Sequence, residues 1–265
     1  MLRGGVFEAV HYVHVAWSDG VEHGDDLTCL LRSSAKPIQA VPLVEAYDDL
    51  DDDEIAIACA SHRAELAQLA AVRKLLARAG ASVTDLANGP QEGRPEGKLG
   101  HNCSGKHAGM LAACRANRWP FAGYGLSDHP LQRRIHALVG DGATAVDGCG
   151  LPTYAATLTG AARLLERVPP RIAEAMRARP DLVGGPGGAD TELMRRRQGW
   201  LAKGGAEGLL CAVSPEGRGL ALKVQDGAGR AVGPALGAFL GIEELAVSEL
   251  RNSLGETVGA VQASL

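Results

Sequence analysis

Aromatic residues are scarce in this chain of 265: three Phe, three Trp and four Tyr make up 4% of it. That scarcity excludes a stacking platform for nucleic-acid bases, and the 35 glycines point instead to tight turns and close-packed small side chains. An excess of positive charge is missing too. A formal net charge of -4 leaves no basic footprint for a phosphate backbone. Long apolar runs are also absent: Met1-Leu2-Arg3-Gly4-Gly5-Val6 lacks the apolar core of a secretory signal, and no stretch reaches membrane-spanning length. These absences lead to the expectation of a cytoplasmic protein without a nucleic-acid or membrane partner. Six cysteines (Cys29, Cys59, Cys103, Cys114, Cys149 and Cys211) are dispersed through a chain too long to need disulfide staples, so reduced thiols are expected. With 46% apolar and 22% charged residues, the composition is that of an ordinary globular protein, and its partner is expected to be a small molecule.

The pattern along the chain predicts α+β. Val6 to Trp17 alternates and favours strand, Ser18-Asp19-Gly20 turns, and Val21-Glu22-His23 starts the return. Helical spacing follows over Ile38 to Tyr47. Ser61, with Glu65 in the first turn, reads as the cap of a helix running to Ala79. Lys106 to Asn117, Pro130 to Leu138, Tyr154 to Arg167 and Pro170 to Arg177 also carry helical spacing, which Gly184 to Gly188 breaks. Strand character returns at Gly208 to Val213 and Gly219 to Val224 around the turn Pro215-Glu216-Gly217. Val232 to Phe239 and Leu245 to Leu254 read as closing helices. One antiparallel sheet built from both chain ends, packed with a helical middle, is therefore expected, in a single domain over 1–265.

Two clusters carry chemistry. Ser33 and Lys36 stand three residues apart where a helix begins, so one turn brings hydroxyl and amine to the same face. A serine needs a base to become nucleophilic, and a lysine that burial or a second cation holds neutral can serve. Alone, the spacing reads first as a helix cap with Pro37 in the first turn. Companions change its weight: Ser61 and Lys203-Gly204-Gly205 follow in the order found in serine-lysine hydrolases of the penicillin-recognising type, with Ser61-His62-Arg63 in place of Ser-Asp-Asn. There, Lys203 would repel a proton from Lys36. The second cluster is His101-Asn102-Cys103-Ser104-Gly105-Lys106-His107 with Asp147-Gly148-Cys149-Gly150. Coordination chemistry alone favours two thiolates and His107 for a metal, and a capped helix start with small buried thiols is the other reading.

Five motifs together resemble the rhizobial-type (class 3, asparaginase II) L-asparaginases: Arg32 to Ala40, Ser61-His62 with Ala64-Glu65, His101 to Met110, Asp147 to Pro152, and Lys203 to Gly208. The resemblance runs from about Gly4 to Asp226. It implies a serine β-lactamase-like fold, hydrolysis of L-asparagine to aspartate and ammonia, and a homodimer. It also implies Ser33 as nucleophile with Lys36 as its base, and Ser61 with Lys203 as a second serine-lysine pair. Zinc on Cys103, Lys106 and Cys149 is implied as well, with Asp147, Arg32 and His62 on the substrate. Another serine-lysine hydrolase, taking glutamine or a lactam, and a non-catalytic zinc-ordered binding module are the alternatives.

Overall fold

Val13–Trp17 and Gly20–His23 form the hairpin expected around Ser18-Asp19, in a computed structural model that describes residues 1–264. Leu265, the end of the expected domain, lies outside the described residues. The hairpin is one side of a five-stranded antiparallel sheet, ordered Gly20–His23, Val13–Trp17, Gly219–Val224, Leu209–Val213, Leu201–Gly204. Ala16 stands opposite Ala221, and Lys203 opposite Cys211. The three late strands are buried along nearly their whole length, which explains why they read as continuous apolar runs and not as an alternation. Helix Leu158–Glu166 covers the sheet, so close to it that a Cβ on Gly219 would lie 2.2 Å from the Ala162 carbonyl oxygen.

The helical layer is centred on Asp52–Ala58, which packs on Leu66–Ala79, Ser104–Ala116 and Pro170–Ala178. Asp51 caps the first of these in a reciprocal capping box with Glu54, the structural use of the acidic run 48–54. Gly105 is required by the crossing of Ser104–Ala116 over Asp52–Ala58: a Cβ there would meet the Ile57 carbonyl oxygen at 2.2 Å. A contiguous apolar core runs from Val15 to Ile242.

Four expectations fail for identifiable reasons. The extreme termini do not join the main sheet. Val247–Arg251, Thr257–Gln262, Leu2–Arg3 and Val6–Phe7 make a separate four-stranded antiparallel sheet, so the two chain ends build two sheets. Val247–Arg251 was expected to be helical, yet its exposure alternates residue by residue and Asn252 to Gly255 turns it back on its partner. Tyr154–Thr157 belongs to strand Pro152–Thr157, and helix starts only where the Thr157 hydroxyl accepts the Gly160 N–H. Ser61 is no cap. The cap of Leu66–Ala79 is Glu65, paired with Gln68, which frees the Ser61 hydroxyl.

The third sheet positions the first cluster. Thr28–Leu30 pairs with Pro152–Thr157, which pairs with Thr144–Val146. At the exit of Thr28–Leu30 the Leu31 N–H donates to the Tyr154 carbonyl at 2.8 Å, and the Arg32 N–H to Thr153 Oγ1 at 2.9 Å. Asp147 and Cys149 occupy the turn between the other two strands. A single small sheet therefore sets the Ser33 segment beside the Asp147-Gly148-Cys149-Gly150 turn.

Candidate active site

Arg32–Ala35 forms a 3-10 turn and Lys36–Gln39 a short α-helix with Pro37 in its first turn. In a 3-10 turn residues i and i+3 eclipse, which aligns Ser33 with Lys36. Neither serine caps the helix: Ser34 Oγ turns back to the Leu31 carbonyl at 2.6 Å, while Ser33 lines a cleft of about 300 Å³. Ser61, Arg63, Asn102, Asp190 and Lys203 share that cleft.

The hydroxyl of Ser61 lies between two buried amines. Lys36 Nζ and Lys203 Nζ each approach Ser61 Oγ to 3.1 Å. Lys36 also donates to the Ala60 carbonyl at 2.5 Å, and Lys203 to the Gly204 carbonyl at 2.9 Å. Among the described residues Lys203 has an ion-pair partner and Lys36 has none: the Asp190 carboxylate lies 3.3 Å from Lys203. Burial is the main reason that the Lys36 amine is brought down to about 8; the Cys103 sulfur opposes it, and Lys203 and Lys106 add repulsion. Like-charge repulsion from Lys203 is thus a secondary cause, where the sequence had suggested it as the specific one.

Three of the four non-glycine residues with positive φ stand next to residues lining this cleft: Arg32 (45°), Ala64 (63°) and Glu207 (54°). Each such conformation costs on the order of 1 kcal/mol or more, and strain of this kind concentrates where geometry serves function. Arg32 is held by Asp147 at 2.8 Å and by Glu207 at 3.4 Å.

The second cluster adjoins the first. Lys106 Nζ, on helix Ser104–Ala116, donates to Cys149 Sγ at 3.0 Å, and Asp147 Oδ2 lies 3.9 Å from the same sulfur. Cys103 hydrogen-bonds with Cys149, and that bond holds its thiol well below its usual range despite burial. His107 turns away to Tyr124 Oη at 2.6 Å. Among the described residues no three of His, Cys, Asp and Glu come together as metal ligands, which removes the two-thiolate-plus-His107 set. Cys103, Lys106 and Cys149 are the donors that do converge. Two thiols and an amine in a buried pocket fit a soft, tetrahedral ion such as zinc once the protons have left.

His62 does not line the cleft. It is buried, its Nδ1 accepts the Ala64 N–H at 3.1 Å, and its Nε2 donates to Ser104 Oγ at 2.8 Å. Burial lowers it to about 3, so the ring is neutral and ties the Ser61 segment to helix Ser104–Ala116. A larger hollow of about 360 Å³ between the terminal sheet and helix Val232–Leu240 is mostly apolar in its lining, and none of the residues above reaches it.

A family model described as L-asparaginase II matches residues 1–262. The chain belongs to the L-asparaginase II family. It is an asparaginase-type amidohydrolase, with a small-molecule amide as substrate. No individually curated protein matches it. Among the described residues of this asparaginase no helix is long and apolar enough to cross a membrane. The cleft also contains residues to which the sequence reading gave no role: Asp190, Asn102 and Arg63. Asn102 was inside a recognised motif, and Asp190 follows the Gly184 to Gly188 break that reads as a plain interruption.

Proposed function

We propose that this asparaginase hydrolyses L-asparagine through an ester on Ser33. The observation that carries this reading is the convergence of Ser33, Ser61 and Lys203 on one cleft, with Lys36 buried behind Ser61. Lys36, neutral, takes the Ser33 hydroxyl proton as Oγ bonds to the amide carbon. The C–N bond then breaks, and the departing nitrogen leaves as ammonia with a proton passed along Lys36 and Ser61. Water, deprotonated by the same amine, cleaves the ester and releases aspartate. The developing oxyanion needs N–H donors. Those of Gly204 and Gly205 are already given to Asp190 at 3.0 Å and to the Leu209 carbonyl at 2.7 Å, so the candidate donors are the N–H groups of Ser33 and Ala206.

Arg32 and Asp147 form a charged pair suited to the α-carboxylate and α-ammonium of the substrate. Zinc on Cys103, Lys106 and Cys149 would tie the turn that carries Asp147 to helix Ser104–Ala116 and so order this wall of the pocket, with its charge balanced by the two thiolates. A serine β-lactamase-like fold, one catalytic domain over 1–265, a homodimer and cytoplasmic residence belong to the same proposal, supported by the family resemblance. Ser61 as the nucleophile is a second reading, favoured by its contacts with both amines.

Acyl-enzyme trapping by mass spectrometry separates the two. Ser33→Ala should lower ammonia release by roughly three orders of magnitude or more and leave no adduct. An adduct that persists in Ser33→Ala and vanishes in Ser61→Ala moves the attack to Ser61.

A further inference from the structure

Asp190 is buried in the first turn of helix Ala189–Arg196, and every bond it makes is directed. Oδ2 pairs with Lys203 Nζ at 3.3 Å and accepts the Gly204 N–H at 3.0 Å, while Oδ1 accepts the Thr191 N–H at 2.9 Å. The glycine-rich break has its explanation here. A Cβ on Gly184 would lie 2.2 Å from Asp190 Oδ1, and one on Gly188 2.9 Å from it. Only glycine lets the chain fold this closely around the carboxylate. The loop is built to seat one anion against one of the two amines that contact Ser61.

We propose that Asp190 is the positioning residue that makes the two lysines unequal. Its carboxylate pins a positive charge on Lys203, so that Lys203 donates to Ser61 and Lys36 is the amine left free to accept a proton. The proposal rests on the serine-lysine reading above. The other groups in the neighbourhood do not provide the same asymmetry. Lys203 is faced by Lys36 and by the buried thiols of Cys59 and Cys211, both of which burial pushes up to about 12 and so keeps neutral. Lys36 is faced by Lys203 and Lys106, by Cys103 and Cys149, whose sulfurs belong to the other cluster, and by Cys59, His62 and His107, which burial keeps neutral. Burial alone would raise the Asp190 carboxyl, but Lys203 and the two backbone amides outweigh it and hold the group below its ordinary value. The carboxylate is therefore charged throughout the working range.

The test is the pH profile of kcat/KM for ammonia release from L-asparagine, measured on the intact protein and on Asp190→Asn. The amide oxygen can keep the Gly204 N–H bond, its NH2 group cannot accept from Thr191, and the charge is lost, so the proton should be shared between the two lysines. The expected result is a plateau at least about tenfold lower and an alkaline limb moved down by about one pH unit, with KM little changed. A uniform drop with both limbs in place would show a merely structural role and overturn the proposal. If Asp190→Asn does not fold, the wild-type protein decides: with carbon-13 at lysine Cε, Lys36 should titrate before Lys203, and the reverse order overturns it. That titration is read without catalysis. It distinguishes a failure of the Asp190 assignment from a failure of the Ser33 mechanism.

Discussion

Lys36, Lys106 and Lys203 are all buried, at most 3% exposed, yet each has a different partner. Lys203 faces a carboxylate and Lys106 a sulfur, whereas Lys36 has only a carbonyl and a hydroxyl. Burial disfavours an ammonium group, and the partner decides whether that pressure is relieved. Sulfur charge outweighs burial at Lys106, which is raised. Among the described residues no carboxylate pairs with Lys36, and the Cys103 sulfur offsets its burial only in part, so it falls. In the proposed mechanism, then, the base is the amine that lacks a compensating partner.

The comparison breaks most sharply at Lys36→Met, which removes the uncompensated amine and keeps the aliphatic bulk. Activity should fall by at least about a thousandfold, the scale for removing a member of a nucleophile-base unit. Stability should move the other way. The folded-state value of about 8 lies below the ordinary 10.5, so the unfolded chain binds protons more tightly and the ammonium form is penalised on folding. That penalty, about 3 kcal/mol at about 1.4 per pH unit, is fully present below pH 8 and fades as pH rises toward 10.5. Leaving the Ala60 carbonyl without its donor returns about 1–2 kcal/mol, so Lys36→Met should be about 1–2 kcal/mol more stable at pH 7 and lose that advantage by pH 10. Chemical denaturation at the two pH values measures it. In the wild type the same amine predicts that kcat/KM falls tenfold per unit on the acid side of about pH 8, and an acid limb two units lower would remove Lys36 as the base.

The Cys149→Ser variant sharpens the contrast from the side of Lys106. Metal analysis of the purified variant should show loss of stoichiometric zinc, with activity reduced more than tenfold and circular dichroism unchanged. Retained zinc would take Cys149 out of the ligand set and leave Lys106 an ordinary ion-pair lysine.

How much of this was readable beforehand differs between the two clusters and the frame that carries them. Ser33, Lys36, Ser61 and Lys203 were found through local spacing and motif order, because a hydroxyl and an amine one turn apart are visible along the chain. The Cys103, Lys106 and Cys149 set was legible only through family resemblance. General coordination chemistry favoured His107, and nothing in the sequence says that this ring turns to Tyr124. Asp190 was invisible for a related reason: its partner is thirteen residues away across a helix and a strand, and the glycines that admit it look like any loop. Helical spacing over Tyr154 to Arg167 misled because small residues satisfy both periods, and only the Thr157 cap marks the boundary.

His62 carries the smallest expected effect and tests whether proximity to Ser61 implies contact with substrate. Both ring nitrogens are used inside the protein, so His62→Gln should leave KM for L-asparagine within about twofold of wild type and lower stability at pH 7 by about 1–2 kcal/mol through the lost bonds. The sign of its pH dependence is set by the folded value of about 3 against the ordinary 6.5. The unfolded chain takes up this proton first as pH falls, so wild-type stability declines from about pH 6.5 downward, and the glutamine variant lacks that share of the decline. Unfolding free energies of the two proteins should therefore converge as the solution is acidified from pH 7 to 5. A KM raised tenfold with unchanged stability would instead return His62 to the substrate site and make the ring, not the lysines, the group whose environment needs explaining.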